Sequence, residues 1–156
     1  MSIAAQIIDA YRKNSLHIAT AESCTGGMVA VALTDVAGSS DVFERGFVTY
    51  SNAAKVQMLG VSDATLDAHG AVSEPVAREM AEGALAQSHA DVAVSITGIA
   101  GPGGSEHKPE GRVCFALARR GAMTRVETVD FGALGRAKVR QAASEHALAL
   151  LLSITA

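Results

Sequence analysis

Aromatic residues are scarce in this chain, which has four Phe, two Tyr and no Trp among its 156 residues. Proteins that bind single-stranded nucleic acid usually stack bases on aromatic side chains, so this composition disfavours that class. Basic clusters are missing as well, because the net charge is -3 and no run of basic residues exceeds two. We therefore expect no nucleic-acid partner and a core of aliphatic side chains.

Cysteines are also few, since Cys24 and Cys114 are the only two and lie far apart. This usage is typical of a reduced, cytoplasmic protein. Residues 1–15 are amphipathic and carry Asp9, unlike the apolar segment of a signal peptide. No apolar stretch approaches the roughly 20 residues that a membrane-spanning helix needs. We expect a cytoplasmic protein without membrane contact.

The length fits one domain, which we place at residues 1–156. Apolar periodicity, turn residues and β-branched runs predict helices and strands that interleave along the chain. Interleaving predicts an α/β domain with a mixed sheet, helices on both faces and an antiparallel last strand pair. The predicted helices are 2–14, 26–34, 52–60, 74–88 and 135–152; the predicted strands are 16–21, 43–51, 91–98, 112–119 and 124–131. Residues 61–73 are predicted to be a connector with about one helical turn.

The stretch TAESCTGG joins the end of a predicted strand to the start of a helix. In open α/β sheets, ligands bind beyond the carboxyl ends of strands. Ser23 precedes Gly26 and Gly27, whose N–H groups can stabilise an oxyanion, so Ser23 is a candidate acyl-transfer nucleophile. Cys24 is its rival, because a thiol near a helix N-terminus can have a lowered pKa. From the serine alone, a structural role is better supported, in which Ser23 or Thr25 caps the helix.

A serine nucleophile needs a base, and the five histidines show no motif that links them to Ser23. Lys55, in the stretch YSNAAK, is the more interesting candidate. If Asn52 caps the helix, Lys55 lies in the first turn, where the helix dipole favours the neutral amine. Neutral lysines act as bases in Ser–Lys arrangements, although a solvated surface lysine is the simpler alternative.

A second glycine-rich segment, TGIAGPGG at residues 97–104, follows another predicted strand. Gly98 and Gly103 have the spacing of P-loop glycines, but Gly104 stands in place of the P-loop lysine and no helix follows. The dinucleotide-binding pattern also fails, because Glu106 occupies the place of its third glycine. The loop can hold a phosphate or carboxylate on its N–H groups, or it is a flexible connection.

Arg136 and Arg140 lie one helical turn apart at the start of the last helix. Together they could clamp a phosphate, although a solvated helix face is the simpler interpretation. The sequence contains neither H-x-x-x-H nor C-x-x-C, so we predict no metal site. Nothing in the sequence indicates a cofactor.

Four segments together closely resemble the CinA C-terminal domain family: AESCTGG, GSSDVFERGFVTYSNAAK, HGAVSEPVAREMAEGA and SITGIAGPGGSEHKPEG. The resemblance covers roughly residues 5–152. It implies a three-layer α/β/α sandwich of the anticodon-binding-domain-like type. Members with known activity are nicotinamide-nucleotide amidohydrolases, so it also implies hydrolysis of nicotinamide mononucleotide to nicotinic acid mononucleotide and ammonia. The expected partner is thus a small nucleotide substrate.

The resemblance further implies roles for single residues. Ser23 would be the nucleophile, Lys55 its base and Tyr50 a nearby hydroxyl. Substrate-binding candidates are Thr25, Gly26, Gly27, Thr97, Gly98, Gly101, Gly103, Gly104, Arg136 and Arg140. The alternative is a non-catalytic phosphate- or partner-binding module of competence or DNA-damage physiology, to which the CinA name refers. A homo-oligomer is left open.

The chain departs from the family pattern in three places. It lacks the N-terminal domain of full-length CinA proteins, so we expect the stand-alone form. Family members often read F-x-G-D-R before the last helix, whereas residues 131–136 read FGALGR, one residue longer and without the acid. Arg112 and Cys114 stand where smaller polar and aromatic residues are expected, so the edge of the pocket is predicted to differ.

Overall fold

The described part of the chain, residues 1–155, contains five strands in the computed structural model. They are β1 (Ile18–Glu22), β2 (Phe43–Val48), β3 (Val92–Gly98), β4 (Arg112–Arg119) and β5 (Arg125–Asp130). They form one sheet in the order β2-β1-β3-β4-β5. β1 is parallel to β2 and β3, whereas β4 is antiparallel to β3 and β5. The mixed sheet and the antiparallel last pair are thus confirmed.

Six α-helices among residues 1–155 flank this sheet. They are α1 (Ile3–Lys13), α2 (Met28–Thr34), α3 (Asn52–Leu59), α4 (Asp63–His69), α5 (Glu74–Ala86) and α6 (Arg136–Ser153). The predicted three-layer α/β/α sandwich is confirmed. Within residues 1–155, we find no helix with the combined length and hydropathy that crossing a membrane requires.

Two predictions of local structure were wrong. The connector after α3 contains a seven-residue helix, α4, rather than a single turn, because Ser62 caps it by accepting a hydrogen bond from the Ala64 N–H. Helix α3 is capped by Ser51, which accepts from the Ala54 N–H, so Asn52 is its first helical residue and not its cap. Lys55 is therefore the fourth residue of α3.

The two faces of the sheet carry different side chains. In β3, Val92, Val94 and Ile96 belong to the core that packs against α1, α2 and α6. The opposite face of the sheet is rich in alanine and belongs to the core formed with α3, α4 and α5. Small side chains let α5 approach the strands closely.

Helix α5 also approaches α3 very closely, and Gly83 makes this approach feasible. A Cβ atom built at Gly83 would lie 1.9 Å from the Leu59 carbonyl oxygen, far inside contact distance. Glycine in a helix usually costs about 1 kcal/mol relative to alanine. Here the glycine lets the helix that carries Lys55 lie directly against α5.

The turn between β1 and α2 is organised by Glu22, a residue that is fully buried at the end of β1. Its Oε1 accepts hydrogen bonds from Thr25 Oγ1 at 2.6 Å and from the Val29 N–H at 3.0 Å. Its Oε2 accepts from the Ala30 N–H at 3.1 Å. The carboxylate thus satisfies N–H groups of the first turn of α2, a helix that has no side-chain cap at Gly27.

We expect Glu22→Gln to lower the free energy of unfolding by about 1–3 kcal/mol. The amide keeps one acceptor oxygen, but its NH₂ group would face a backbone N–H that loses its partner. Denaturant unfolding of the variant and of Glu145→Gln, a matched change at an exposed position of α6, measures the effect. Equal stability of the two variants would contradict the role given to Glu22.

Candidate active site

Ser23 and Lys55 come from different elements and meet beyond the carboxyl ends of the parallel strands β1 and β2. Ser23 follows β1 directly, and Lys55 lies in the helix that follows β2. Lys55 Nζ lies 3.1 Å from Ser23 Oγ. The same nitrogen donates to the backbone carbonyls of Thr49 at 3.0 Å and Tyr50 at 3.1 Å. The lysine amine is thus held against the serine hydroxyl by fixed backbone groups.

The side chain of Lys55 is buried, with only 1% of the residue exposed. None of the ion pairs among the described residues includes it. Burial lowers the pKa of Lys55 below its ordinary value of 10.5, while the neighbouring Cys24 and Glu106 oppose this shift. The alternative of a solvated surface lysine is therefore ruled out, and the main cause of the lowered pKa is desolvation.

Cys24 lies next to Ser23 in sequence but has a different environment. Burial raises the pKa of its thiol to about 12, so the thiol is protonated near neutral pH. The lowered pKa expected for a thiol near a helix N-terminus is not found. A protonated thiol is a weak nucleophile.

A cavity of about 360 Å³ opens beside the Ser23–Lys55 pair. Ser23, Lys55 and Tyr50 line it together with residues of the glycine-rich loop that follows β3. Of the predicted binding residues, Thr97, Gly98, Gly101, Gly103, Gly104 and Arg136 line this cavity. Its volume lies within the range of small-molecule sites, roughly 300–1,000 Å³.

Tyr50 and Arg136 meet at the mouth of the cavity. Tyr50 is 57% exposed, and its hydroxyl accepts a hydrogen bond from Arg136 Nη2 at 2.7 Å. Arg136 Nη1 donates to the Gly101 carbonyl, also at 2.7 Å. The Tyr50 carbonyl points instead toward Ser23 Oγ, at 3.4 Å. Tyr50 therefore contacts the serine and lysine through its backbone and Arg136 through its hydroxyl.

The other predicted binding residues, Thr25, Gly26, Gly27 and Arg140, are not part of the cavity lining. Gly26 and Gly27 have positive φ angles of 58° and 107°, which explains the glycine pair. The Gly26 N–H donates within the turn to the Ser23 carbonyl. Contrary to the expectation, it therefore does not point at a ligand. Arg140 donates to the carbonyls of Cys24 and Thr25. The two arginines therefore bind different segments and do not form a common clamp.

The long loop after β3 is fastened to the connection between α4 and α5. Lys108 Nζ donates to the carbonyls of His69 at 2.7 Å and Val72 at 2.6 Å. Glu106 accepts from the Ala71 N–H at 3.2 Å. The loop is therefore an anchored wall of the cavity rather than a flexible connection.

Sequence reasoning missed Glu22, Glu106 and Asn52, of which the last two line the cavity. The signal for Glu22 was an acidic residue at the end of an otherwise apolar strand. Glu106 and Asn52 lie in polar segments, where nothing in the pattern distinguishes a cavity wall from a solvated surface. Among residues 1–155, no group of three or more His, Cys, Asp or Glu side chains is arranged to hold a metal ion.

Sequence comparisons identify relatives over nearly the whole chain. The nicotinamide-nucleotide amidohydrolase PncC of Escherichia coli K12 is 54% identical over 154 residues, which are 97% of this chain and 92% of that protein. A CinA-like protein of Chlorobium limicola is 56% identical over 140 residues, but this chain spans only 33% of its length. The chain thus matches both short and much longer proteins.

Solved structures give the same relationship. The competence/damage inducible protein CihA of Agrobacterium tumefaciens superposes with a TM-score of 0.95 at 47% identity, over 99% of this chain and 94% of that one. The family model of the CinA C-terminal domain matches residues 1–155. Ser23, Lys55 and the cavity therefore lie within the matched region, and the chain belongs to the CinA C-terminal domain family.

Proposed function

We propose that this chain hydrolyses the carboxamide of nicotinamide mononucleotide, with Ser23 as the nucleophile and Lys55 as its general base. The observation that carries the proposal is the buried 3.1 Å contact between Lys55 Nζ and Ser23 Oγ beside an open cavity. The substrate follows from the relatives, since the PncC proteins are named nicotinamide-nucleotide amidohydrolases and are matched over most of their length. The enzyme is accordingly an amidohydrolase acting on a linear amide.

The surroundings of Lys55 suit a neutral amine. A neutral amine has two N–H groups and one lone pair. The N–H groups can donate to the carbonyls of Thr49 and Tyr50, which leaves the lone pair for the Ser23 hydroxyl proton. Burial lowers the free-energy cost of losing the lysine proton, and this effect outweighs the opposing influence of Cys24 and Glu106. The lysine can therefore accept a proton from the serine at a lower pH than a solvated lysine could.

The reaction proceeds in two acyl transfers. Ser23 Oγ attacks the carboxamide carbon while Lys55 takes the hydroxyl proton. The C–N bond of the adduct then breaks, and ammonia leaves with the proton that Lys55 returns. Water attacks the resulting acyl-serine ester, Lys55 again takes a proton, and its return to Ser23 Oγ releases nicotinic acid mononucleotide.

The nucleotide part of the substrate is bound by the outer half of the cavity. Arg136 supplies the guanidinium that pairs with the phosphate, and Tyr50 presents its hydroxyl beside it. The glycines let the loop wall pack closely, because a Cβ at Gly104 would meet the Lys108 carbonyl at 2.4 Å and one at Gly98 would meet Val113 at 2.7 Å. Thr25, Gly26, Gly27 and Arg140 support the turn that presents Ser23 rather than touching the substrate.

The direct test is a turnover screen with the purified chain. Ammonia release is measured with nicotinamide mononucleotide, nicotinamide riboside and free nicotinamide. We expect the mononucleotide to be hydrolysed with the highest kcat/KM, because only it offers a phosphate to Arg136. No ammonia from any of the three would overturn the proposal and favour a non-catalytic binding module.

Ser23→Ala is expected to lower kcat by at least about 10³-fold without unfolding the protein. The matched variant Cys24→Ala removes the neighbouring thiol, which is protonated near neutral pH, and is expected to keep most of the activity. Steady-state kinetics give both values, and thermal unfolding checks that the variants are folded. An inactive Cys24→Ala beside an active Ser23→Ala would assign the nucleophile to the cysteine.

The pH dependence reports the role of Lys55. Because its pKa is lowered below 10.5, the neutral amine is populated at lower pH than in a free lysine. The rate of the wild type should rise with pH up to that pKa and level off above it.

Lys55→Arg keeps the charge but cannot accept a proton, so it should be as inactive as Lys55→Met across the pH range. These two variants are compared by kcat from acidic to alkaline pH. An arginine variant that retains a large share of the wild-type kcat would show that the lysine acts by charge alone.

A further inference from the structure

We infer that Glu110 is a positioning residue for substrate binding: its carboxylate joins the glycine-rich loop to the start of α6 and so sets the place of Arg136. This inference rests on the proposed function, because it gives Arg136 the phosphate of the substrate. Glu110 lies outside the cavity lining and does not touch the reacting atoms. Its effect is therefore exerted through Arg136 and the loop.

The two oxygens of Glu110 bind two separate segments. Oε1 accepts a hydrogen bond from the Gly103 N–H at 2.7 Å, and Oε2 accepts from the Gly135 N–H at 3.0 Å. The loop passes directly over the carboxyl group, since a Cβ at Gly101 would lie 2.6 Å from the Glu110 carboxyl carbon. One side chain thus bridges residues that are 32 positions apart in the sequence.

Arg136 closes the same connection from the other side. It follows Gly135 directly, and its Nη1 donates to the Gly101 carbonyl at 2.7 Å. The loop and the start of α6 are therefore joined twice, once by a carboxylate and once by a guanidinium. The guanidinium in turn holds the Tyr50 hydroxyl at 2.7 Å. A shift of the helix start would move all of these groups relative to the Ser23–Lys55 pair.

No residue near the start of α6 caps this helix in place of Glu110. The N-cap residue Gly135 has a positive φ of 91° and makes no side-chain cap, and the first turn contains no acidic residue. Residues 132–138 are exposed, so packing does little to fix them. The Glu110 carboxylate is the acceptor that the Gly135 N–H uses, and it arrives from a distant part of the chain.

The carboxylate could instead act by repulsion, since it lies near the group proposed to bind phosphate. Two arrangements oppose this effect. Both oxygens accept hydrogen bonds from backbone N–H groups. In addition, Arg136, which carries a positive charge, directly follows Gly135, the donor to Oε2. When the charge of Glu110 is removed, positioning predicts a higher KM and repulsion predicts a lower KM. The measurement of KM therefore separates the two effects.

Glu110→Gln is the test variant, because the amide has the same shape but only one acceptor oxygen. We expect KM for nicotinamide mononucleotide to rise about tenfold, which corresponds to about 1.4 kcal/mol, while kcat changes by less than about twofold. With nicotinamide riboside, which has no phosphate, kcat/KM should stay as in the wild type. The matched control is Glu145→Gln on the exposed side of α6, which should behave as the wild type.

Glu110→Asp provides a second variant that keeps the charge but is one methylene too short to reach both N–H groups. We expect it to resemble Glu110→Gln. In the Arg136→Gln background, Glu110→Gln should add little further loss, because the positioned group is already gone. A fall in KM, an unchanged KM, wild-type behaviour of Glu110→Asp, or additive losses in the double variant would each overturn the inference.

A binding measurement keeps this test separate from the proposed activity. If the wild type releases no ammonia, the proposed function fails, and calorimetric binding of nicotinic acid mononucleotide decides the role of Glu110. The inference then requires that the wild type binds this nucleotide about tenfold more tightly than Glu110→Gln. A wild type that does not bind it, or variants that bind it equally well, overturn the inference.

Discussion

The burial of one lysine amine against a serine hydroxyl is the interaction on which the rest of this structure depends. Taking a charged amine out of water is costly unless it is paired, and none of the ion pairs of the described residues includes Lys55. Its partners are two backbone carbonyls and the Ser23 hydroxyl. Such an environment favours the neutral amine, which is the form that a general base requires.

The fold holds the two halves of this contact from opposite faces of the sheet. On one face, the carboxylate of Glu22 fixes the turn that carries Ser23 by accepting hydrogen bonds from Thr25 and from the first turn of α2. On the other face, the helix that carries Lys55 lies against α5 at Gly83, where no larger residue fits. The contact forms because the strands before both segments are parallel neighbours, so they end at the same edge.

The outer part of the cavity is exposed to solvent, whereas its inner part is buried. Ser23 and Lys55 are buried and held by backbone groups, whereas Arg136 is exposed and held by single hydrogen bonds to Gly101 and Tyr50. A reacting pair needs a fixed distance and a low dielectric constant, while a group that receives a phosphate must be open to solvent. The long loop after β3 joins the two parts, since Lys108 fastens it to His69 before α5 and Glu110 fastens it to Gly135 at the start of α6.

Local patterns in the chain were enough for the order of the five strands and of every α-helix except α4, for the mixed sheet, for the family and for the two candidate residues Ser23 and Lys55. Apolar periodicity and turn residues report on neighbours in sequence, and the strand-to-helix position of TAESCTGG is a local property. Three-dimensional packing alone decided that Lys55 is buried, that the Cys24 thiol stays protonated and that Arg140 binds the Cys24 carbonyl instead of lining the cavity with Arg136. Desolvation and hydrogen bonds between distant segments set these properties, and no spacing along the chain encodes them. The same holds for Glu110, whose partners at Gly103 and Gly135 become neighbours only when the sheet brings the loop to the start of the last helix.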